Sequence, residues 1–315
     1  MKILFFDDFR LGVLVDDQVV DVTNVADGIP HAHPQDVISR IIAEWATYRP
    51  LIEAELTRGA TTPLDQVRVR PPLPRPTNID CMARNYMENG TLPERPPINA
   101  FTKSPNSVIG HGDTMILPDV AATVFEMEAE LAVVIGRYAD NVTADEALDY
   151  VFGYTNLMDG SARGIPPRQN AFYQMKSRAT FCPIGPFIMT ADEIGDAQHL
   201  PIRLWNNGEL MQDFDTSDMA YSIRESIAFI SSVHPLEPGD IIATGTNHRG
   251  LHPLQHGDVI ELEVGPLSRL RVDIRDDLGR TWPRETRLQR ADAGLEGTSP
   301  QLTGKYAPAA AADRD

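Results

Sequence analysis

The alternation of hydrophobic and polar positions along the chain predicts a protein built mainly from short β-strands. Period-two alternation and short apolar runs predict strands at 2–6, 12–15, 19–22, 241–244, 259–264 and 269–274. A helical period predicts one amphipathic helix near 38–56. Short strands dominate after residue 180, so the sequence predicts a β-rich mixed α/β fold and not a Rossmann fold.

One longer run is apolar on both faces and still contains carboxylates. It reads Phe-Glu-Met-Glu-Ala-Glu-Leu-Ala-Val-Val-Ile at 125–135, and a second run, at 152–159, ends in Asp159. Because strand side chains alternate, Glu128 and Glu130 lie on one face, which becomes apolar within a few residues. The first run therefore predicts a strand that is buried on both sides.

Buried carboxylates need a partner. An unpaired one is destabilising by several kcal/mol or more, so Glu128, Glu130 and Asp159 should be protonated, ion-paired or bound to a metal. Neither run contains Lys or Arg. We therefore interpret the three acids as ligands of a divalent cation.

A second Glu-x-Glu pair, Glu261 and Glu263, provides a comparison within the same chain. Around it, Ile260, Leu262 and Val264 form one apolar face, and the strand continues at 269–274, where charged and apolar residues alternate. This pattern predicts a half-exposed antiparallel strand whose glutamates are solvated.

The link between the two acidic runs predicts how their carboxylates meet. Thr-Ala-Asp-Glu at 143–146 is a capping box, which predicts a helix from there to about residue 150. A strand–helix–strand connection of this length can bring two strand ends close together.

Composition divides the chain into three zones. We predict a small N-terminal α/β domain at 1–70, a catalytic domain at 77–285 and a loose or docked C-terminal tail at 286–315. The proline-rich linker at 70–76 is too stiff and too poor in N–H donors for a helix or a central strand.

Charge and cysteine count restrict the function classes. The net charge of −17 argues against nucleic acid and anionic membranes as partners, because both attract a basic surface. Cys81 and Cys182 provide neither a disulfide framework nor a zinc-ligand spacing, which fits a reducing cytoplasm. Early acidic residues argue against a signal peptide, and no apolar run approaches transmembrane length. The sequence therefore predicts a soluble, cytoplasmic protein.

Other catalytic motifs are missing or interrupted. Ser161 lies in Asp-Gly-Ser-Ala-Arg, which is not a nucleophile elbow. His248, His252 and His256 have a spacing of four, but glycine and proline between them interrupt any helix. We therefore do not expect these histidines to form a metal-binding stripe.

Four motifs follow one another in order between about residues 78 and 275. They are Glu-Met-Glu-Ala-Glu-Leu-Ala-Val-Val-Ile-Gly at 126–136, Gly-Tyr-Thr-Asn-Leu-Met-Asp-Gly-Ser-Ala-Arg at 153–163, Lys-Ser-Arg-Ala-Thr-Phe-Cys-Pro-Ile-Gly-Pro at 176–186, and Pro-Gly-Asp-Ile-Ile-Ala-Thr-Gly-Thr at 238–246. Together they resemble the fumarylacetoacetate hydrolase family. The strands of the N-terminal zone resemble the domain that precedes the catalytic one in many members.

The resemblance implies a mixed β-roll catalytic domain and a homodimer. It also implies Mg²⁺ or Mn²⁺ held by Glu128, Glu130 and Asp159, which agrees with the interpretation above because hard oxygen ligands suit Mg²⁺. The substrates it implies are 2-oxo acids, β-diketo acids and their enols. Such molecules chelate a metal through two adjacent oxygens, and the metal stabilises the enolate.

Further site residues follow from the resemblance. Lys176 matches the active-site lysine of the family, a cation near the enolate or the substrate carboxylate. Arg163 would bind a carboxylate through its fork of donors or brace the neighbouring aspartate. Thr246 would donate a hydroxyl to the substrate, and Tyr86 and Lys103 are weaker candidates that line the same cleft.

One segment departs from the family pattern. Hydrolytic members usually carry Asn-Tyr-x-x-His-x-x-Glu, whose His and Glu activate water, and here Asn89 and Leu92 occupy those two positions. Asparagine cannot accept a proton near neutral pH, so the usual dyad is absent. Glu88 or Glu94 could replace it as a tuned carboxylate base, and both could equally be solvated loop residues.

Three function classes therefore remain open. The first, and our primary prediction, is metal-dependent hydrolysis of a C–C bond in an acylpyruvate-like or diketo acid. The second is an isomerase, tautomerase, decarboxylase or dehydratase of the same family, for which enolate stabilisation suffices. The third is a non-catalytic binding protein, against which the complete ligand set and Lys176 argue. The missing dyad predicts slow or absent cleavage of simple acylpyruvates.

Overall fold

The computed structural model describes residues 1–166 and 172–308. The strands, in chain order, are β1 Lys2–Phe6, β2 Arg10–Val15, β3 Gln18–Asp21, β4 Thr61–Pro63, β5 Val69–Arg70, β6 Ile79–Met82, β7 Ala100–Thr102, β8 Val108–Ile109, β9 Thr114–Ile116, β10 Val124–Ile135, β11 Val151–Arg163, β12 Cys182–Thr190, β13 Pro201–Asn206, β14 Glu209–Asp215, β15 Ile241–Ala243, β16 Val259–Val264 and β17 Leu270–Arg275. The α-helices are α1 Pro34–Ala43, α2 Trp45–Glu55, α3 Phe172–Lys176, α4 Ile223–Val233 and α5 Arg287–Asp292. The predicted β-rich mixed architecture is confirmed.

Two sheets organise the molecule. Within the described residues, twelve strands form one sheet in the order β4-β3-β2-β1-β12-β11-β10-β15-β6-β7, with β5 beside β1 and β8 beside β12. A second sheet has the order β14-β13-β16-β17-β9. Strand β1 pairs antiparallel with β12, placing Ile3 opposite Ile188, so the strands of the N-terminal zone continue the sheet that contains the acidic strands.

The single helix predicted at 38–56 is wrong, because the structure contains two helices there. Helix α1 starts earlier than predicted, at Pro34, where a capping box between His33 and Asp36 satisfies its first N–H groups. The backbone of Glu44 leaves the helical conformation, with φ −112° and ψ 35°, and α2 begins at the next residue. The hydrophobic periodicity of a sequence does not reveal a helix that is interrupted at a single residue.

Strand β10 is buried along its whole length, as predicted. Its odd-numbered side chains, among them Met127 and Leu131, pack in one hydrophobic core, which also contains residues of the second sheet such as Ile260. On the other face, Ala132 and Val134 pack in another core, which includes α1. The glutamates of β10 lie on the same face of the strand as Ala132 and Val134, on the N-terminal side of these two residues.

The connection between β10 and β11 differs from its prediction. Thr143 Oγ1 donates to Glu146 Oε2 at 2.7 Å, which joins the two side chains but is not the side-chain-to-backbone pair of a capping box. Only a 3-10 turn, Ala147–Tyr150, follows it before β11 begins, so the predicted helix is wrong. Four residues are too few for a stable α-helix, and the two strands meet directly as antiparallel neighbours.

The remaining strands form within two residues of their predicted bounds, with two exceptions. The strand predicted to continue beyond 264 is divided into β16 and β17, and the strand predicted to end at Asp159 runs to Arg163. Strand β16 has the predicted bounds, and Glu261 and Glu263 alternate with buried neighbours and contact Arg269. In the described part of the chain, none of the helices is both long and apolar enough to cross a bilayer.

Candidate metal centre and active site

Three carboxylates converge on one face of two neighbouring strands. The antiparallel register of β10 and β11 places Glu128 directly opposite Asp159, and Glu130 follows on the same face. All three side chains are buried. One oxygen of each lies within 4.8 Å of the others. The sheet therefore brings together the three residues that the sequence singled out.

Two of the three acids are ion-paired in this structure. Lys176 Nζ lies 2.7 Å from Glu128 Oε2 and 2.5 Å from Asp159 Oδ2. Lys103 Nζ lies 2.5 Å from Asp159 Oδ1, and Arg163 pairs with Glu128. The absence of Lys and Arg from the two apolar runs was misleading, because these cations come from the end of β11 and from neighbouring segments.

Glu130 has a different environment. Its Oε2 accepts the N–H of Gly245 at 2.7 Å, and within the described residues it has no ion-pair partner. Gly245 has φ +88°, and an added Cβ would lie only 3.0 Å from the Cβ of Asn85, so a larger residue would disturb this contact.

The pKa values of the two glutamates move in opposite directions. Burial raises the pKa of Glu130, and the negative charges of Asp159 and Glu128 raise it further, well above its ordinary value. Burial also raises the pKa of Glu128, but the charges of Lys176 and Arg163 outweigh it and hold that pKa well below its ordinary value. Of the three acids, Glu130 is thus the one whose negative charge is not balanced by a neighbouring cation in the described residues.

This donor set fits a divalent cation. Three carboxylates offer hard oxygen ligands of the kind that Mg²⁺ and Mn²⁺ prefer. Each carboxylate oxygen has more than one lone-pair position, so a lysine contact does not use up the acceptor. The ammonium of Lys176 lies between Glu128 and Asp159 and shows that positive charge is stabilised at this place.

A fourth buried acid, Glu126, supports the cluster, and sequence analysis did not assign it a role. Its carboxylate accepts from Arg163 Nε at 3.0 Å and from Arg287 at 2.9 and 2.5 Å. Burial raises the pKa of Glu126, but the two guanidinium groups outweigh it and the pKa is lowered. Arg163 thus bridges Glu126 and Glu128. The sequence prediction was that it binds a substrate carboxylate or braces Asp159, and among the described residues its ion pairs are with the two glutamates instead.

A cavity of about 730 Å³ opens beside the carboxylates. Its wall includes Glu128, Arg163, Lys176, Tyr86 and Thr246. Such a volume suits a small organic acid. The structure therefore places an acidic cluster, a lysine and an arginine on the wall of one cavity.

The other predicted residues have separate environments. Lys103 is buried behind the cavity wall, where it contacts Asp159 and donates to the carbonyl of Lys176. Glu94 is exposed and is not among the residues that line the cavity. Glu88 lines the cavity and pairs with His248, whose Nδ1 lies 2.6 Å from Glu88 Oε1.

Comparison with known proteins identifies the family. The model of the fumarylacetoacetate (FAA) hydrolase C-terminal domain matches residues 78–275, which include all three carboxylates. The chain belongs to the fumarylacetoacetate hydrolase family. The family resemblance and the fold that it implied are thereby confirmed.

Relatives in this family have several activities. Oxaloacetate tautomerase YisK of Bacillus subtilis is 38% identical over 216 residues, which are 66% of this chain and 70% of that protein. The crystal structure of maleylpyruvate hydrolase from Sphingobium sp. SYK-6 is 35% identical, has a TM-score of 0.79, and covers 88% of this chain and 100% of that chain. Another structure of that hydrolase, with the same identity and TM-score and covering 88% of this chain and 99% of its own, contains manganese(II) and pyruvate.

Proposed function

We propose that this protein is a divalent-metal-dependent enzyme that forms an enolate from a small 2-oxo or diketo acid, and that it hydrolyses a C–C bond. The observation that carries the proposal is the convergence of Glu128, Glu130 and Asp159 beside a cavity that also presents Lys176 and Arg163. The manganese and pyruvate found with the Sphingobium hydrolase support the same ligand chemistry.

Each part of the site has a distinct task in this proposal. Glu128, Glu130 and Asp159 would hold the cation. When bound, it would coordinate two adjacent substrate oxygens and stabilise the enolate charge. Lys176 would attract the substrate carboxylate, and the half-buried guanidinium of Arg163 would keep Glu128 in place.

Thr246 and Tyr86 would bind the rest of the substrate. Thr246 lines the cavity, and its hydroxyl accepts a hydrogen bond from Gln212 Nε2 at 2.9 Å, so its own hydrogen remains available for a ligand. Tyr86 also lines the cavity, but its hydroxyl is enclosed beside Thr244, so its ring would form the contact with the substrate.

Tautomerisation of a 2-oxo acid is the second candidate. The 38% sequence identity with oxaloacetate tautomerase YisK favours tautomerisation. The replacement of the family's histidine and glutamate by Asn89 and Leu92 also favours it. Tautomerisation needs enolate formation and a proton transfer but no attacking water. Both candidates share the metal site and differ in the product.

A matched pair of variants tests the metal-dependent activity. Glu130→Gln should abolish Mn²⁺ binding in calorimetry and also abolish turnover, because the ligand charge is lost. Glu261→Gln changes the same residue type in the same Glu-x-Glu spacing on a half-exposed strand and should behave as the parent. Mn²⁺ binding by Glu130→Gln with unchanged affinity would contradict the site.

The product distinguishes the two candidates. The parent protein, freed of metal and reloaded with Mn²⁺ or Mg²⁺, is mixed with acylpyruvates and with oxaloacetate. Loss of the enol absorbance together with stoichiometric pyruvate formation indicates hydrolysis. Uptake of deuterium at the carbon beside the ketone that is faster than in the absence of the protein, without cleavage, indicates tautomerisation. The absence of both reactions across the panel would refute the proposed function.

A further inference from the structure

A strained turn lies at the segment where the family's water-activating dyad is missing. Glu88, Asn89 and Gly90 have φ values of 56°, 59° and 71°, so three successive residues are left-handed. Glycine adopts this conformation readily and asparagine tolerates it, whereas Glu88 is strained there. Such strain persists where surrounding contacts enforce it, and it concentrates at functional sites.

Specific contacts hold this turn. The carboxylate of Asp218 accepts the N–H of Asn89 at 2.8 Å and the N–H of Gly90 at 3.2 Å. The side chain of Asn89, which occupies the family's histidine position, accepts a hydrogen bond from Asn247 Nδ2 at 3.2 Å. The turn is thereby joined to the loop that carries the next residue, His248.

The turn presents Glu88 to His248. Glu88 Oε1 lies 2.6 Å from His248 Nδ1, and Glu88 Oε2 accepts the backbone N–H of His248 at 2.9 Å. Because a carboxylate is the acceptor, Nδ1 carries the hydrogen and Nε2 is the nitrogen that remains for a ligand. Within the described part of the chain, Nε2 has no hydrogen-bond partner.

The pair lies on the wall of the cavity beside the metal-ligand candidates. Glu88 and His248 line it together with Glu128 and Lys176, and their side chains are 15% and 26% exposed. The other charged groups on this wall are Arg84, Arg163 and Arg287. A second histidine–carboxylate pair provides a comparison. His199 Nδ1 lies 2.7 Å from Asp196 Oδ2, but this pair is mostly exposed and lies outside the cavity.

We propose that His248, oriented by Glu88, is the residue that transfers the proton in this active site and so replaces the histidine absent at position 89. This inference rests on the proposed function. The histidine comes from the loop after β15 instead of the segment 85–92, and the strained turn at 88–90 supplies the carboxylate that positions it. His248 is the catalytic residue in this arrangement, and Glu88 is a positioning residue.

The proton balance is complete for both candidate reactions. In hydrolysis, His248 Nε2 accepts a proton from water as the water oxygen bonds to the distal carbonyl carbon. The C–C bond then breaks, its electron pair forms the enolate of the 2-oxo acid, and His248 returns the proton to the enolate carbon. In tautomerisation, His248 removes a proton from the carbon beside the ketone and returns it to the enolate oxygen. No oxidant or second cofactor is required.

The test compares four variants of the Mn²⁺-loaded, full-length protein. His248→Gln should lower kcat by about 10²–10⁴-fold, the usual contribution of a general acid–base group, with Mn²⁺ and oxalate affinities unchanged in calorimetry. His248→Ala should regain activity when imidazole is added, because the free base can occupy the emptied volume. Glu88→Gln should lower kcat by about ten-fold to 100-fold and distort the pH–rate profile. His199→Gln, the matched control, should equal the parent.

The outcomes separate this inference from the function on which it rests. A parent protein that is inactive with every 2-oxo acid refutes both. An active parent whose His248→Gln variant keeps its kcat overturns the role of His248 while the proposed function stands. Loss of Mn²⁺ binding in His248→Gln, or failure of imidazole to restore any activity to His248→Ala, also overturns it, because either result indicates a merely structural residue.

Discussion

At the scale of single residues, Glu130 differs from the other buried acids of the site because no cationic side chain in the described residues contacts it. Glu126, Glu128 and Asp159 each contact one or more cationic side chains. Glu130 contacts a backbone N–H, and burial together with its acidic neighbours raises its pKa. A carboxyl group with a raised pKa keeps its proton to a higher pH than usual, and a bound divalent cation takes the place of that proton.

Metal binding should therefore release a proton. Below the raised pKa of Glu130, the metal-free protein carries a proton on this carboxyl group, and a divalent cation must displace it. We expect Mn²⁺ affinity to increase as the pH rises through that pKa and to become constant above it. Titration calorimetry in buffers of different ionisation enthalpy measures the released proton directly. Binding without proton release at any pH would show that Glu130 is ionised in the metal-free protein.

Sequence analysis could predict the three carboxylates but not the contacts that surround them. The acids were visible because period-two alternation places them in apolar runs that a local window covers. The pair of Glu88 and His248 was not visible, because 160 residues separate its members and neither lies in a periodic run. Lys176 was assigned by its motif, whereas its two ion pairs depend on strand register.

At the scale of secondary-structure elements, the short helix α5 anchors the C-terminal segment to the site. Arg287, its first residue, contacts Glu126 with both Nε and Nη2. Arg287 also lines the cavity. The tail prediction left a loose and a docked form open. Arg287 docks the start of the tail at this point, and residues 291–297 beyond it are exposed. Residues 309–315 lie outside the described residues.

Replacing Arg287 should destabilise the protein more than replacing a surface arginine. Arg287→Gln leaves the buried Glu126 with Arg163 alone, and loss of a hydrogen-bonded contact to a charged group is destabilising by about 1.5–3 kcal/mol. Arg275→Gln removes an exposed pair with Asp277 and should change the free energy of unfolding by about 0–1 kcal/mol. Urea unfolding of both variants measures the difference, and equal losses would contradict the anchoring role of α5.

Element boundaries were less predictable than element types. The strands at 2–6 and 259–264 agree with β1 and β16 to the residue, because the first is a nearly continuous apolar run and the second alternates apolar and charged residues. The helix predicted at 38–56 failed at Glu44, where one non-helical backbone conformation divides it. The side chains of Thr143 and Glu146 contact each other without a following α-helix, because tertiary pairing of β11 begins at Val151.

At the scale of the whole molecule, strand β1 connects the N-terminal zone to both hydrophobic cores. Leu4 and Phe6 pack in the core that also contains residues of the second sheet, and Ile3 and Phe5 pack in the core around α1. The sequence predicted separate domains at 1–70 and 77–285 from composition and the linker. It could not predict that β1 pairs with β12, because this pairing joins positions about 185 residues apart. The homodimer implied by the family stays a prediction.

The shared sheet predicts that the catalytic zone is unstable alone. Each of the four residues Ile3 to Phe6 is almost fully buried. At roughly 1.5–3 kcal/mol per buried apolar side chain, their loss is comparable to a typical total stability of about 5–15 kcal/mol. Deletion of residues 1–76 would also leave the end of β12 that pairs with β1, around Ile188 and Met189, as an unpaired edge, which promotes aggregation. We expect the fragment to be insoluble or to melt well below the parent in a thermal scan. The control is the intact chain cut at a protease site introduced at the exposed Thr77, whose two pieces should co-elute because the β1–β12 pairing remains. A soluble fragment with the parent's melting temperature would instead establish the N-terminal zone as a separable domain.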